Sequence, residues 1–275
     1  MTPPAPTPAH PPAVQSTRPV LLLPPAKGKV PGGDGPAYRA TLTDDHPLTA
    51  ARREVLAAAV AAAAALDDAA LARVAGVRGA DVDRARALLA DLPDAPTLPV
   101  GIRTAGIVHR NAGLAEVAGR ADALPAEVLL VSGLLGIAGL AEPMPDHRLE
   151  LAVSLAPLGG LATFWRRALA EHLATRLADR PVVDLLPAEH ARAIDPSLRA
   201  RGGWTSVVFR RPDGRAANAA RTKVAKGVLV AALLAPARLT AAEVTAPALA
   251  ARIDLGEGWS LKAATEDTLV ATYRG

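Results

Sequence analysis

Residues 20–38 read VLLLPPAKGKVPGGDGPAY, and the fold follows from how this stretch is parsed. Val20 to Leu23 is a continuous apolar run stopped by Pro24-Pro25, the pattern of a buried strand feeding a loop. The loop is rich in Gly and Pro and polar at its tip, and a long loop leaving a buried strand is a common place for a site. Working outward, residues 124–132 (LPAEVLLVS) and 181–186 predict two further buried strands. Gly133 to Glu142 reads as a glycine-punctuated turn. Pro143 to Glu150 must be extended, because Pro143 and Pro145 forbid a helix there. The alanine-rich run from Pro47 predicts a helix packed on several sides. Leu158 to Leu177 predicts an amphipathic one, with Leu161, Phe164, Trp165, Ala168, Leu169, His172, Leu173 and Leu177 on one stripe. Trp204 to Arg210 predicts a strand followed by a hairpin turn at Pro212-Asp213-Gly214. Asn218 is placed to cap a helix running to about Leu234, Thr240 to Ala250 predicts another, and Ile253 to Arg274 a terminal hairpin. Strands and helices alternate irregularly, so the expected fold is mixed α/β (α+β): one compact domain, residues 19–275, around a mixed sheet. Residues 1–18 are expected to be a disordered Pro/Ala-rich tail.

Composition narrows the function. The 275 residues are 50% hydrophobic but only 3% aromatic, so aliphatic packing must fill the core. With no cysteine, disulfides, thiolate metal sites and cysteine nucleophiles are excluded. The net charge of +4 is too small for general polyanion affinity, so nucleic-acid binding would need a local patch. No signal peptide or membrane-length apolar run is visible, and the expectation is a cytoplasmic protein with no membrane association. The histidines lack HxxxH spacing, so neither a metal nor a cofactor is expected.

Four of the five lysines fall in two short segments, Lys27 and Lys29 in AKGK and Lys223 and Lys226 in TKVAK, while nearly all other positive charge is arginine. A compact ammonium can enter a tight pocket or shift its pKa where a guanidinium cannot. The clusters therefore point to an anion site, with a solvated basic face as the alternative. Positions 223 and 226 are neighbours on a helix face. Asp146-His147-Arg148-Leu149-Glu150 concentrates acid, base and cation. An internal Arg148–Glu150 ion pair is the plain expectation and general acid/base chemistry the sharper one. In residues 66–90, LDDAALARVAGVRGADVDRARALLA, a helix ends at Gly76, a tight turn follows through Val77, Arg78 and Gly79, and a second helix begins after Asp81. Glycines at such a turn let backbone N–H groups approach a phosphate. Asp81 and Asp83 favour instead an ordinary connection with a capped second helix.

Taken in order, LLLPPAKGK, PGGDGPAY, the turn near Gly76, APTLPVGIRTAGIVHR, LLVSGLLGIAGLAEPMPDHRLEL, FWRRAL, VVDLLPAEH and TKVAKG resemble the YaaA family of bacterial peroxide-stress proteins. The resemblance implies one mixed α/β domain with a helix-hairpin-helix element. It also implies sequence-independent DNA binding, and protection of DNA from peroxide and iron damage in the cytosol. Family-typical positions fall on Lys27, Gly28, Lys29, Ser132, Gly133, Gly136, Arg148, Glu150, Phe164, Trp165, Asp184, Lys223, Lys226 and Gly227. The chain departs at Ala26 and near Pro187, where serine is usual, and at Leu135 and His147, where tyrosine is favoured. The expected hairpin is Gly76, Val77, Arg78 and Gly79, and the expected anion pocket is Lys27, Lys29, Arg148, Glu150, Lys223 and Lys226. The alternative is an enzyme acting on a nucleotide or nucleobase, or another small anion, in that pocket; whether catalysis occurs is open at this level.

Overall fold

The computed structural model describes residues 17–235 and 240–275, so the predicted tail lies almost wholly outside the described residues. The sheet has seven strands: β1 (Val20–Leu23), β2 (Glu127–Ser132), β3 (Gly136–Gly139), β4 (Val182–Asp184), β5 (Trp204–Arg210), β6 (Trp259–Thr265) and β7 (Thr268–Tyr273). Their spatial order is β6-β7-β5-β4-β1-β2-β3. From β7 through β5, β4 and β1 to β2 every pairing is parallel. Antiparallel strands close both edges, β3 beside β2 and β6 beside β7. All four residues of β1 are buried at the centre, with Val20 opposite Glu127 on one side and Val182 on the other. Parallel strands buried on both faces read as unbroken apolar runs, which is why VLLL and EVLLVS were recognisable.

Parallel pairing demands long crossovers, and these carry the helices. Between β1 and β2 run α1 (Thr49–Ala65), α2 (Asp68–Ala75), α3 (Asp81–Ala90), α4 (Val100–Arg103) and α5 (Ile107–Asn111). Later come α6 (Leu161–Arg176), α7 (Ala219–Leu233) and α8 (Ala246–Arg252). Of the stripe predicted for α6, Leu161, Phe164, Trp165, Leu169 and Leu173 are buried, Ala168 and His172 are half-buried, and Leu177 is buried just past the helix end. Trp165 is fully buried and its indole N–H donates to the Gly133 carbonyl at 2.8 Å. Asn218 caps α7, its Oδ1 accepting from the N–H groups of Ala220 and Arg221.

Three expectations are corrected. Gly136–Gly139, read as part of a turn, is edge strand β3, paired through Ser132↔Gly136. The buried Arg52 stabilises it by donating to the Leu135 and Ile137 carbonyls at 3.1 and 2.7 Å and to Glu142 Oε2 at 2.8 Å. The predicted helix over 240–250 is two pieces, a 3-10 turn at Ala241–Glu243 and α8. Thr245 caps α8 and Pro247 sits in its first turn, where the missing N–H costs nothing. The turn at 212–214 forms, with Arg211 N–H donating to the Arg215 carbonyl at 2.8 Å, but no return strand follows. Strand β4 pairs only with Trp204–Ser206 of β5, and beyond it the turn returns as a single antiparallel bridge, Arg210↔Ala216, before Asn218 starts α7.

Helix α7 packs on α5 at Gly227, where an added Cβ would lie 2.4 Å from Asn111 Cβ and 2.7 Å from the Val108 carbonyl oxygen. Alanine improves helix propensity by about 1 kcal/mol, but overpacking costs roughly 1–3 kcal/mol. Gly227→Ala is therefore expected to lower the urea midpoint; a raised midpoint would show that the two helices do not approach this closely.

Candidate functional site

The carboxyl ends of the parallel strands deliver the chemistry. The chain leaving β1 carries Lys27 and Lys29, the chain leaving β4 carries Pro187, Glu189 and His190, and the chain leaving β5 leads into α7 with Lys223 and Lys226. Open α/β sheets gather ligand sites at this end. Here the loops surround a cleft of about 630 Å³, within the range of small-ligand sites. All six residues expected in the anion pocket line it: Lys27, Lys29, Arg148, Glu150, Lys223 and Lys226. Gly76 and Val77 form part of its rim, while Arg78 and Gly79 lie outside it, exposed.

The loop after β1 is held from below. Residues 28–30 run antiparallel to 103–105: Ala105 N–H donates to the Gly28 carbonyl at 3.0 Å and Val30 N–H to the Arg103 carbonyl at 2.9 Å. The Arg103 side chain, fully buried, donates to the carbonyls of Val30, of Pro96 at 3.0 Å and of Met144 at 3.0 Å. One guanidinium thus ties the lysine loop to the segment leading into His147, Arg148 and Glu150.

Charge in the cleft is unbalanced. Its lining includes six cations, Arg110 with the five already named, against two carboxylates, Glu150 and Glu189. The expected Arg148–Glu150 pair does not form. Glu150 Oε1 lies 3.2 Å from Lys27 Nζ, and Arg148 donates to the Lys27 carbonyl. In extended backbone residues 148 and 150 share a side, but the loop after β1 reaches both first. Among the described residues Lys29 Nζ has a single hydrogen bond, to the Ala26 carbonyl at 3.1 Å, and no carboxylate within ion-pair distance. Burial, then the neighbouring Arg148, push its pKa down to about 8. Lys226 Nζ donates to the Leu185 carbonyl at 2.7 Å and lies 5.4 Å from the centre of the Phe209 ring. Burial pushes it too down to about 8, against the pull of Asp184. Lys223, one turn earlier, is exposed at the mouth.

Sequence reasoning weighed His147 as a base within the Asp146–Glu150 segment but passed over His109 and His190, which it considered only as metal ligands. His109, His147 and His190 are all buried and all line the cleft. Leu149 N–H donates to His147 Nδ1 at 3.3 Å, so in the neutral ring the proton sits on Nε2, which has no protein partner. Burial, then Lys29, hold His147 well below the usual imidazole range. Burial pushes His109 down to about 4; the Pro24 carbonyl opposes this, although neither ring nitrogen makes a full hydrogen bond. Burial also lowers His190. Among the described residues no group of three or more His, Asp or Glu is arranged to hold a metal.

The hairpin is fixed to the cleft through Glu150. Gly76 ends α2 at φ 64°, and a Cβ there would fall 2.5 Å from Glu150 Oε1. Glu150 N–H donates to the Val74 carbonyl at 3.3 Å. The N–H groups of Arg78 and Gly79 make no hydrogen bond among the described residues. Asp81 and Asp83 stand in the first turn of α3, but the residue before it, Ala80, supplies no side-chain cap. Several family-typical residues prove to be packing elements. Ser132 Oγ accepts from the N–H groups of Leu134 and Leu135, and Asp184 binds Arg199 and the Trp204 indole. At the departures, buried Ala26 and Pro187 line the cleft without a hydroxyl.

Residues 20–246 match the profile of the family described as Peroxide stress protein YaaA. A UPF0246 protein of Streptomyces coelicolor is 32% identical over 241 residues, 86% of this chain and 90% of the relative. UPF0246 proteins of Methylibium petroleiphilum and Verminephrobacter eiseniae are 44% and 40% identical over 80 and 78 residues, 31% and 30% of their own lengths and 27% and 26% of this chain. Among the described residues no helix is long and apolar enough to cross a membrane.

The buried histidines set a pH dependence. Their folded pKa values lie below the ordinary 6.5, so between about pH 6.5 and 4 the unfolded chain binds more protons. Stability is then present above that window and is lost as pH falls through it. For His109 the full loss near pH 4 is on the order of 3 kcal/mol. Urea midpoints should fall steadily from pH 7.5 to 5, and His109→Gln should flatten the fall. An unchanged slope in that variant would mean His109 is solvated.

Proposed function

The chain belongs to the peroxide stress protein YaaA family, and from that premise we propose that it associates with DNA, independently of sequence, and shields it from peroxide and iron damage. The observation that carries this reading is the adjacency of the exposed Gly76–Gly79 turn to a cleft with six cations and two carboxylates. Arg78 is exposed, and the free N–H groups of Arg78 and Gly79 are available to a backbone phosphate. Lys223 at the cleft mouth would extend the same electrostatic track. Contacts of this kind go to phosphates, so they position without reading bases. The net charge of +4 supports only a local interaction, which the turn and the cleft mouth would concentrate on one face.

A second reading, an enzyme acting on a nucleotide or nucleobase, is favoured by the enclosed part of the cleft. Two lysines with few hydrogen bonds and pKa values near 8 are costly to a structure, and perturbed groups gather at sites of chemistry. Stabilisation of the protein by nucleotides in the absence of DNA would support it.

The test of the first reading is DNA affinity as a function of salt. Arg78→Glu should weaken binding to unrelated duplexes equally and reduce the slope of log K against log salt by about 1. Unchanged affinity and slope would make the turn an ordinary helix connection.

A further inference from the structure

We propose that Lys29 is the amine of a carbonyl-binding site, forming an imine with an aldehyde carried on a phosphorylated sugar. This goes beyond DNA association and does not depend on it. An ammonium has three donors and Lys29 uses one, on the Ala26 carbonyl. Two carboxylates, Asp146 and then Glu150, act on it from a distance, but among the described residues neither lies within ion-pair range of it, and Glu150 is engaged by Lys27. Arg148 and Arg103 add like charge to its surroundings. A structural lysine is normally given an acid; one set in a cleft among guanidinium groups is better satisfied as the free amine, the nucleophilic form. With a pKa of about 8, a useful fraction is unprotonated near neutral pH.

The rest of the cleft fits the other steps. The Lys29 Nζ lone pair adds to the carbonyl carbon while the carbonyl π electrons move to oxygen, and one N–H proton is relayed to that oxygen to give the carbinolamine. The hydroxyl takes up a second proton and leaves as water with the C–O bonding pair, the nitrogen lone pair forms C=N, and release of the second N–H proton replaces the one taken up. No oxidant or reductant is needed. Glu150, close enough to Lys29 to influence its charge, is the group available to carry protons. The His147 ring, neutral and bearing its proton on Nε2, also lines the cleft and is near enough to Lys29 to feel its charge. Lys223 lines the cleft without an ion pair among the described residues and supplies a phosphate anchor at the mouth. A cavity of about 630 Å³ has room for a sugar phosphate.

The experiment incubates the full-length protein with 2-deoxyribose 5-phosphate and cyanoborohydride, without DNA, and locates adducts by intact mass and peptide mapping. The expected result is one adduct, on Lys29, formed several-fold more readily than with unphosphorylated 2-deoxyribose. It should be lost in Lys29→Arg and Lys29→Met and retained in Lys262→Arg, which alters an exposed lysine outside the cleft. Melting curves establish that at least one Lys29 variant is folded. Adducts spread evenly over the lysines, an adduct on Lys226 alone, or none at all would overturn the assignment. Stabilisation by inorganic phosphate with no adduct would show an anion site only. Because DNA is absent, loss of the adduct and loss of DNA binding are separate outcomes.

Discussion

The buried guanidinium of Arg103 is the constraint on which the site rests. Three carbonyls, from Val30, Pro96 and Met144, belong to segments distant in sequence, and a single planar group satisfies all three. Buried carbonyls without donors cost the full desolvation of each group, so none of the three segments can shift independently. The loop bearing Lys27 and Lys29 and the strand leading to His147 and Glu150 are set against each other by this one residue. A lysine, with a tetrahedral ammonium, could not reproduce the planar fork.

Around this anchor the protein spends stability on its cleft. Lys29 and Lys226 are largely enclosed without a carboxylate partner, and His109, His147 and His190 are buried with unfilled hydrogen-bonding capacity. Elsewhere buried charge is treated conservatively. Glu127 is held by Arg176 and Arg180, and Asp184 by Arg199. Arg103, satisfied by carbonyls alone, lies outside the cleft lining; within the cleft the fold tolerates groups that a ligand would satisfy.

Much of the fold was legible in the chain. VLLL and EVLLVS announced strands because burial on both faces leaves no polar alternation to hide them, while WTSVVFR, exposed in its second half, did so through its β-branched and aromatic residues. The stripe on Leu161–Arg176 and the Asn218 cap are local signals with local causes. The errors came where a local signal was true but incomplete. Glycines at 133, 136 and 139 resemble a turn, yet Arg52 satisfies the carbonyls that let Gly136–Gly139 pair as a strand. The dipeptide Asp213-Gly214 makes its turn, but the return is a single bridge, Arg210↔Ala216, because the chain enters α7 at once after Asn218. Arg148 and Glu150 looked like partners because they are neighbours in sequence, and the partner they share is Lys27.

By itself the sequence determined the elements and the residue types worth watching, because hydrophobic period, proline, glycine and capping act within a few residues. The lysine pairs stood out through composition alone. Only the tertiary structure decided that both pairs, the His147–Glu150 segment and the Gly76 turn meet around one cleft, and that three histidines join them. Which side chains converge depends on the parallel order of β1, β4 and β5, which sends three loops to the same end of the sheet. Charge pairing depends on distances across the fold, and these are set by contacts such as those of Arg103 that leave no periodic mark in the chain.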